Sequence, residues 1–200
     1  MAKSVREPRQ ERSIEKKNRL IQAGYELFSE VGYYNTNTAE IAKRAGVSTG
    51  IVYGYFKDKR DILLSVLDIY LKEVTTPILQ ALEGLTPPID YAKIIPTLVD
   101  ITTKAHREHS HIHEALHSMA SSDEAVEYKF RLLEDDLTDD IATKLSHCGV
   151  SITNLKEKVH LAINIIQSYS HECIYDQHKY IDYKEMRHIV IDTLITLFSH

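Results

Sequence analysis

The stretch Thr36–Lys59, T-N-T-A-E-I-A-K-R-A-G-V-S-T-G-I-V-Y-G-Y-F-K-D-K, leaves few folds open to the residues around it. With Thr38 at the first place of a twenty-residue template, apolar or small side chains fall at Ile41, Ala42, Ala45, Val47, Val52 and Tyr55. Two short helices crossing steeply around a tight turn need those sites inward. Ala42 is small where the helices approach each other. Gly46 stands where the first helix ends, and a left-handed residue there is cheapest as glycine. Ser48 takes the N-cap of the second helix, its hydroxyl set to accept from an amide one turn ahead. That leaves Thr49, Gly50, Tyr53 and Gly54 outward, on the face of a second helix that enters a DNA major groove. Tyr55 is assigned to the core, and the Tyr53 hydroxyl to a phosphate.

The rest of the chain also reads as helix. Seven Gly and five Pro among 200 residues leave long uninterrupted stretches, and almost no segment alternates with period two. The expectation is an all-α fold of about nine helices. It has three parts: a flexible basic arm over 1–12, a helix-turn-helix domain over 13–60, and a helical effector-binding and dimerisation domain over 61–200. The arm carries Lys3, Arg6, Arg9 and Arg12 around Pro8. A first helix, capped by Ser13, follows the apolar period from Ile14 through Leu20, Leu27 and Phe28 to Val31, and Gly32 ends it. Thr36 or Asn37 caps the next helix, with Glu40 in loose capping-box spacing. The short helices are expected over Thr38–Ala45 and Thr49–Tyr55. A long helix from Asp58 to about Leu82 spans nearly 40 Å, at about 1.5 Å per residue, and Pro77 is set to kink it. Ile89–His106 follows, broken or bent at Pro96. Ser121-Ser122-Asp123 caps a helix reaching Cys148, and Thr153–Gln177 and Tyr183–Ser199 complete the set.

Charge divides the chain. Residues 1–60 hold twelve Lys/Arg against seven Asp/Glu, a net of +5, while residues 61–200 hold twelve against twenty-two, a net of −10. A basic module on an acidic body suits a protein that meets phosphates with one end only. No apolar run approaches the eighteen or so residues that span a bilayer, and the basic N-terminus lacks the apolar core of a signal peptide. Cys148 and Cys173 are too few for a disulfide framework, so reduced thiols and a cytoplasmic location are expected.

The combined pattern resembles the TetR family of transcriptional regulators. The residues that carry the resemblance are Gly32, Tyr33, Ile41, Ala42, Ala45, Gly46, Val47, Ser48, Gly50, Tyr53, Tyr55, Phe56, Lys59 and Leu63, within roughly Ile14–Leu67. The resemblance implies a homodimeric repressor of a double-stranded, palindromic operator, with a C-terminal helical domain that forms the pocket for a small-molecule effector and the dimer interface. By position, Thr38, Tyr53 and Lys59 match phosphate contacts. Ser48, Thr49 and Gly50 match the leading edge of the recognition helix, and Thr36 and Gly54 are counted with this surface. Two positions depart from the family pattern. Thr38 stands where an aliphatic residue is common, and Gly54 where a bulkier one is common. With glycine at 50 and 54, few side chains remain to read base edges, so DNA shape is expected to carry much of the specificity.

Beyond the motif the chemistry is generic. Tyr70, Ile101, Met119, Tyr128, Phe130 and Ile166 are the candidates to line an effector pocket. The last helix is apolar on more than one face, which asks for a partner, and in this family the last two helices pair with those of a second copy. His109, His113 and His117 recur every four residues within the cluster His106–His117, so on one helix they share a face. Such a face can bind a transition metal or hydrogen-bond a polar ligand, but neither a metal nor a cofactor is assigned. Control by a metal or a protein partner is the alternative to an organic effector. The acidic run Glu134–Asp140 reads as a solvated face. No nucleophile elbow, phosphate loop or H-E-x-x-H pair is present, so the chain is not read as an enzyme.

Overall fold

The computed structural model describes Pro8–Ser199, with side chains from Glu11 onward, and every regular element in it is helical. Nine helices follow one another among the described residues. They are α1 (Pro8–Val31), α2 (Thr38–Arg44), α3 (Thr49–Val52), α4 (Lys59–Ala81), α5 (Tyr91–Glu108), α6 (Ser110–Ala120), α7 (Glu124–His147), α8 (Leu155–Tyr175) and α9 (Tyr183–Ser199). None of them is long and apolar enough to cross a membrane.

The first helix starts earlier than its apolar stripe. Pro8 opens α1, where its missing N–H would have no helical partner and its fixed φ already suits the first turn. Ser13 is therefore interior to the helix rather than its cap, and its Oγ lies 3.1 Å from the Tyr55 hydroxyl. The basic arm expected over 1–12 falls in part on residues 1–7, outside the described residues; the remainder is helix. The prolines expected to bend α4 and α5 do not end either helix. Each deletes one N–H, and the carbonyls four residues back belong to Glu73 and Ala92, both exposed to water.

The chain forms two compact units that do not follow a single cut in sequence. One comprises the residues up to Tyr70 together with His111–Val126, and the other Leu71–Ser110 with Glu127 onward. In the first, the buried set includes Leu20, Ala23, Leu27 and Phe28 of α1, Ile41 and Ala42 of α2, and Val52 of α3. Ile62, Leu63, Val66 and Leu67 of α4 and Ile112, Leu116 and Met119 of α6 are buried as well. α1 packs on α2, and α2 on α3. Gly24 lets α4 come close to α1, since a Cβ there would lie 2.7 Å from Cγ2 of Ile62. Asp123 closes this unit by capping α7 through Ala125 and Val126, and Arg60 forks onto the same carboxylate. That pair holds the Asp123 carboxyl down at about 2.

In the second unit α5 packs on α8 and α9, and α8 on α9, around a core that includes Ile95, Val99, Leu137, Ile141, Ile163, Ile166 and Leu194. Polar links fasten this packing. Thr103 and Ser170 meet at 3.0 Å between α5 and α8, and Arg187 of α9 forks onto Asp100 of α5 at 3.0 and 2.8 Å. The acidic run on α7 is exposed, as a solvated face should be.

Candidate functional site

The α2–α3 motif is held by its caps. Asn37 is extended (φ −129°, ψ 165°), and its Oδ1 accepts from the backbone N–H groups of Ala39 and Glu40, each at 3.0 Å. The Glu40 carboxylate accepts from the Asn37 N–H at 3.0 Å, so the capping box is complete. At the other end Gly46 adopts φ +68°. Val47 N–H bonds the Ala42 carbonyl at 3.0 Å and Gly46 N–H that of Lys43 at 3.2 Å, the paired bonds of a left-handed C-cap. Ile41, Ala42, Ala45 and Val52 are buried as their spacing predicts, whereas Val47 and Tyr55 are half-buried.

Two expectations for the second helix are corrected. Ser48 is extended at the N-cap, but its hydroxyl makes no capping bond; only its carbonyl engages, accepting from Ile51 N–H at 2.9 Å. The exposed hydroxyl is left for other partners. The helix also stops at Val52 rather than Tyr55, because Gly54 and Tyr55 bond three residues back, to Ile51 and Val52, in tighter turns.

The outward residues cluster. Ser48, Thr49, Gly50, Tyr53 and Gly54 are exposed, and the Tyr53 hydroxyl lies 3.2 Å from Oγ1 of Thr38. Thr36 does not join them. It is 2% exposed, and its hydroxyl donates to the Gly32 carbonyl at 2.9 Å. Lys59 points inward as well: its ammonium donates to the carbonyls of Tyr33 at 2.6 Å and Thr36 at 2.7 Å and sits 4.1 Å from the Tyr33 ring centre. Burial lowers the Lys59 pKa, a cost that the two carbonyls and the ring face offset. Lys59 thus fastens the connector between α1 and α2 to the start of α4. Among neighbouring cations, Arg44 is tied to Glu26 and Glu30 of α1, while Lys43 and Lys57 are exposed.

The six candidate pocket residues are divided between the two units. Tyr70 and Met119 are buried in the first unit, where the Tyr70 hydroxyl meets Nδ1 of His113 at 2.6 Å. In the second unit Tyr128 is exposed, and Phe130 and Ile101 are half-buried. Only Ile166 lines the cavity found there. That cavity, of about 70 Å³, is walled by apolar residues of α4, α5, α7, α8 and α9 such as Ile78, Ile95, Leu137 and Phe198. Thr102 and Gln167 are on its wall too, and sequence reasoning missed both. A signal existed for Thr102: it interrupts the buried stripe Ile95, Val99, Ala105 of α5 with a hydroxyl.

The histidine run is broken. α5 ends at Glu108 and α6 begins at Ser110, so His109 is a helix cap and does not share a helix with His113 and His117. His109 faces Glu73 at 3.6 Å, whereas the His113 and His117 rings lie 4.0 Å apart. Among the described residues, no group of three or more His, Cys, Asp or Glu is placed to hold a metal ion.

Known proteins share this architecture. Residues 20–66 match the family model of the bacterial regulatory proteins of the tetR family. The HTH-type transcriptional regulator HbdR of Aromatoleum sp. (strain CIB) is 40% identical over 46% of this chain and 44% of its own. The chain spans less than half the length of the curated relatives it matches. Among solved structures, a TetR-family regulator from Syntrophomonas wolfei superposes with a TM-score of 0.69 at 23% identity, over 94% of this chain and 96% of that one. The fatty acid degradation regulator FadR of Bacillus halodurans gives 0.64 at 18%, over 96% of each chain. At such identities the solved structures speak for the fold, and the family they and the curated relatives represent is one of transcriptional regulators, not enzymes. Residues 20–66 are a TetR-family helix-turn-helix domain, set in a chain with the TetR-like, all-helical fold.

Proposed function

We propose that this chain is a homodimeric, cytoplasmic transcriptional repressor that binds a palindromic operator and is released by a small-molecule effector. The observation that carries the reading is the patch of hydroxyls and glycines around α2 and α3, contributed by the half-buried Thr38 and the exposed Ser48, Thr49, Gly50, Tyr53 and Gly54. Thr38 and Tyr53 share one hydrogen bond, so one of their two protons remains for a phosphate oxygen. Thr36 and Lys59 support this surface from behind. Dimerisation draws support from apolar side chains left in water on the last two helices, Leu161 at 49% and Ile189 at 65% exposure. A second copy related by a two-fold axis would cover them and set two recognition helices one turn of DNA apart. The effector's seat is the apolar cavity of the second unit, and its filling biases the dimer away from the operator-bound state.

A gel-shift and salt titration on DNA flanking the chain's own gene tests the reading. Tight, salt-sensitive binding to a near-palindrome is expected, and binding that is weak and blind to sequence would overturn it. Tyr53→Phe should weaken operator affinity about threefold to tenfold, the worth of one hydrogen bond, and leave thermal stability unchanged. Unchanged affinity would remove Tyr53 from the contact surface. Sedimentation as a monomer at micromolar concentration would remove the dimer.

A further inference from the structure

The cavity of the second unit has a chemistry of its own. None of its wall residues is Asp, Glu, Lys, Arg or His, and the polar side chains on it are those of Thr102, Gln167 and Tyr91. Thr102 is only 5% exposed. Helix threonines usually return their hydroxyl to the carbonyl one turn back, as Thr103 does to Val99 and Thr97 to Lys93. Thr102 Oγ1 does not, and no other acceptor or donor among the described residues meets it. The Thr102 carbonyl is occupied, because it accepts from Nδ1 of the buried His106 at 2.9 Å. What faces the cavity is a hydroxyl nine-tenths buried whose hydrogen-bonding capacity is unspent. Such a group costs free energy unless something in the cavity engages it.

We infer that the cavity takes a small, uncharged aliphatic molecule with one hydrogen-bonding group, such as an alcohol or ketone, and that Thr102 Oγ1 is its polar anchor. The inference rests on the reading of this cavity as the effector's seat. A volume of about 70 Å³ is below the ~150 Å³ that admits benzene, so the occupant is a molecule smaller than benzene, with only a few heavy atoms. An anion finds no cation on the wall. His106, one turn from Thr102, is kept neutral because burial pushes its pKa down, and burial likewise keeps the Tyr91 phenol protonated. Transfer of a carboxylate into such walls without a partner is heavily penalised.

The test is 19F NMR titration of the full chain with three matched probes smaller than benzene: 2,2,2-trifluoroethanol, trifluoroacetate and 1,1,1-trifluoroethane. The alcohol should bind saturably, and the carboxylate more than about tenfold more weakly at pH 7.5. Thr102→Val should weaken the alcohol about threefold to tenfold while leaving the trifluoroethane unchanged, a pattern that general damage to the fold would not give. Ala162→Phe, which fills the cavity, should abolish binding of both. Saturable binding by none of the probes, a carboxylate that matches the alcohol, or a Thr102→Val protein that binds the alcohol normally would each overturn the inference. A gel-shift with the alcohol separates the two readings. Saturable binding without release from the operator keeps the ligand class and removes its role as effector.

Discussion

Replacing Lys59 by Met separates a staple from a phosphate contact. The substitution keeps the apolar stem over Tyr33 and removes the ammonium that donates to the Tyr33 and Thr36 carbonyls. Hydrogen bonds to a charged group contribute about 1.5–3 kcal/mol each. Lys59 is half-exposed, so water reclaims part of that sum, but Thr36 is buried and its carbonyl is harder to rehydrate. A net loss of about 2 kcal/mol follows, or about 4–8 °C in Tm for a chain of this length. The connector loosened in this way positions Asn37 and Thr38, so operator affinity should fall for every sequence alike. Because no phosphate contact is lost, the slope of log affinity against log salt should stay within a few tenths of the original. Thermal unfolding and a salt titration of the same preparation decide the matter. An unchanged Tm with a slope flatter by about one unit would refute the staple and make Lys59 a direct phosphate contact.

Three further outcomes are expected. Asn37→Ala removes the Oδ1 that accepts from the Ala39 and Glu40 N–H groups, keeps the backbone N–H that donates to Glu40, and should lower stability by about 1 kcal/mol in urea unfolding, with Asn37→Asp recovering most of it. His106 is held neutral by burial, so its folded pKa lies below that of the unfolded imidazole. Its contribution to stability is therefore complete above about pH 6.5 and falls away as pH drops toward the folded value, and His106→Leu should flatten the urea midpoint between pH 7 and pH 5. Gly50→Ala should leave the urea midpoint unchanged or raised and yet weaken operator binding in the gel-shift.

The parts of the fold legible in the sequence are those that a few adjacent residues decide. The Asn37–Glu40 box, the left-handed Gly46 and the buried Ile41, Ala42 and Val52 depend on one helix turn and its neighbours, so spacing alone located them. Helix α9 was legible for the same reason. The start of α1 was not, because Glu11, Arg12 and Ser13 stand in the helix and stay exposed, and an apolar period is silent about such residues. Ser48 shows the limit of cap rules: residue type and backbone are right for the N-cap, but the hydroxyl is turned away. Lys59 and Thr36 were placed on the DNA face by position in a motif, and only the packing of the connector against α4 shows that both point inward. The cavity depended on five helices meeting, which no local window contains, so of six candidates only Ile166 lies on it.

The two outward glycines carry different information. A Cβ on Gly54 would lie 3.3 Å from the Ile51 carbonyl oxygen, so the turn that ends α3 itself disfavours a side chain there. A Cβ on Gly50 would meet nothing within 4 Å, and the residue is not left-handed. Nothing among the described residues requires glycine at 50, and helix propensity argues against it by up to about 1 kcal/mol relative to alanine. A residue that the fold does not need, at a cost to helix stability, is explained by what packs against it from outside. On the proposed reading that is the DNA. With no side chain at 50, the backbone of α3 approaches the groove closely, which leaves Thr49 and Ser48 as the side chains beside it and makes groove shape the larger determinant of site choice. That is why the Gly50→Ala outcome pairs a stability that holds or rises with a lost affinity. If both fell together, the glycine would be serving the fold and the surface argument would lose its strongest residue.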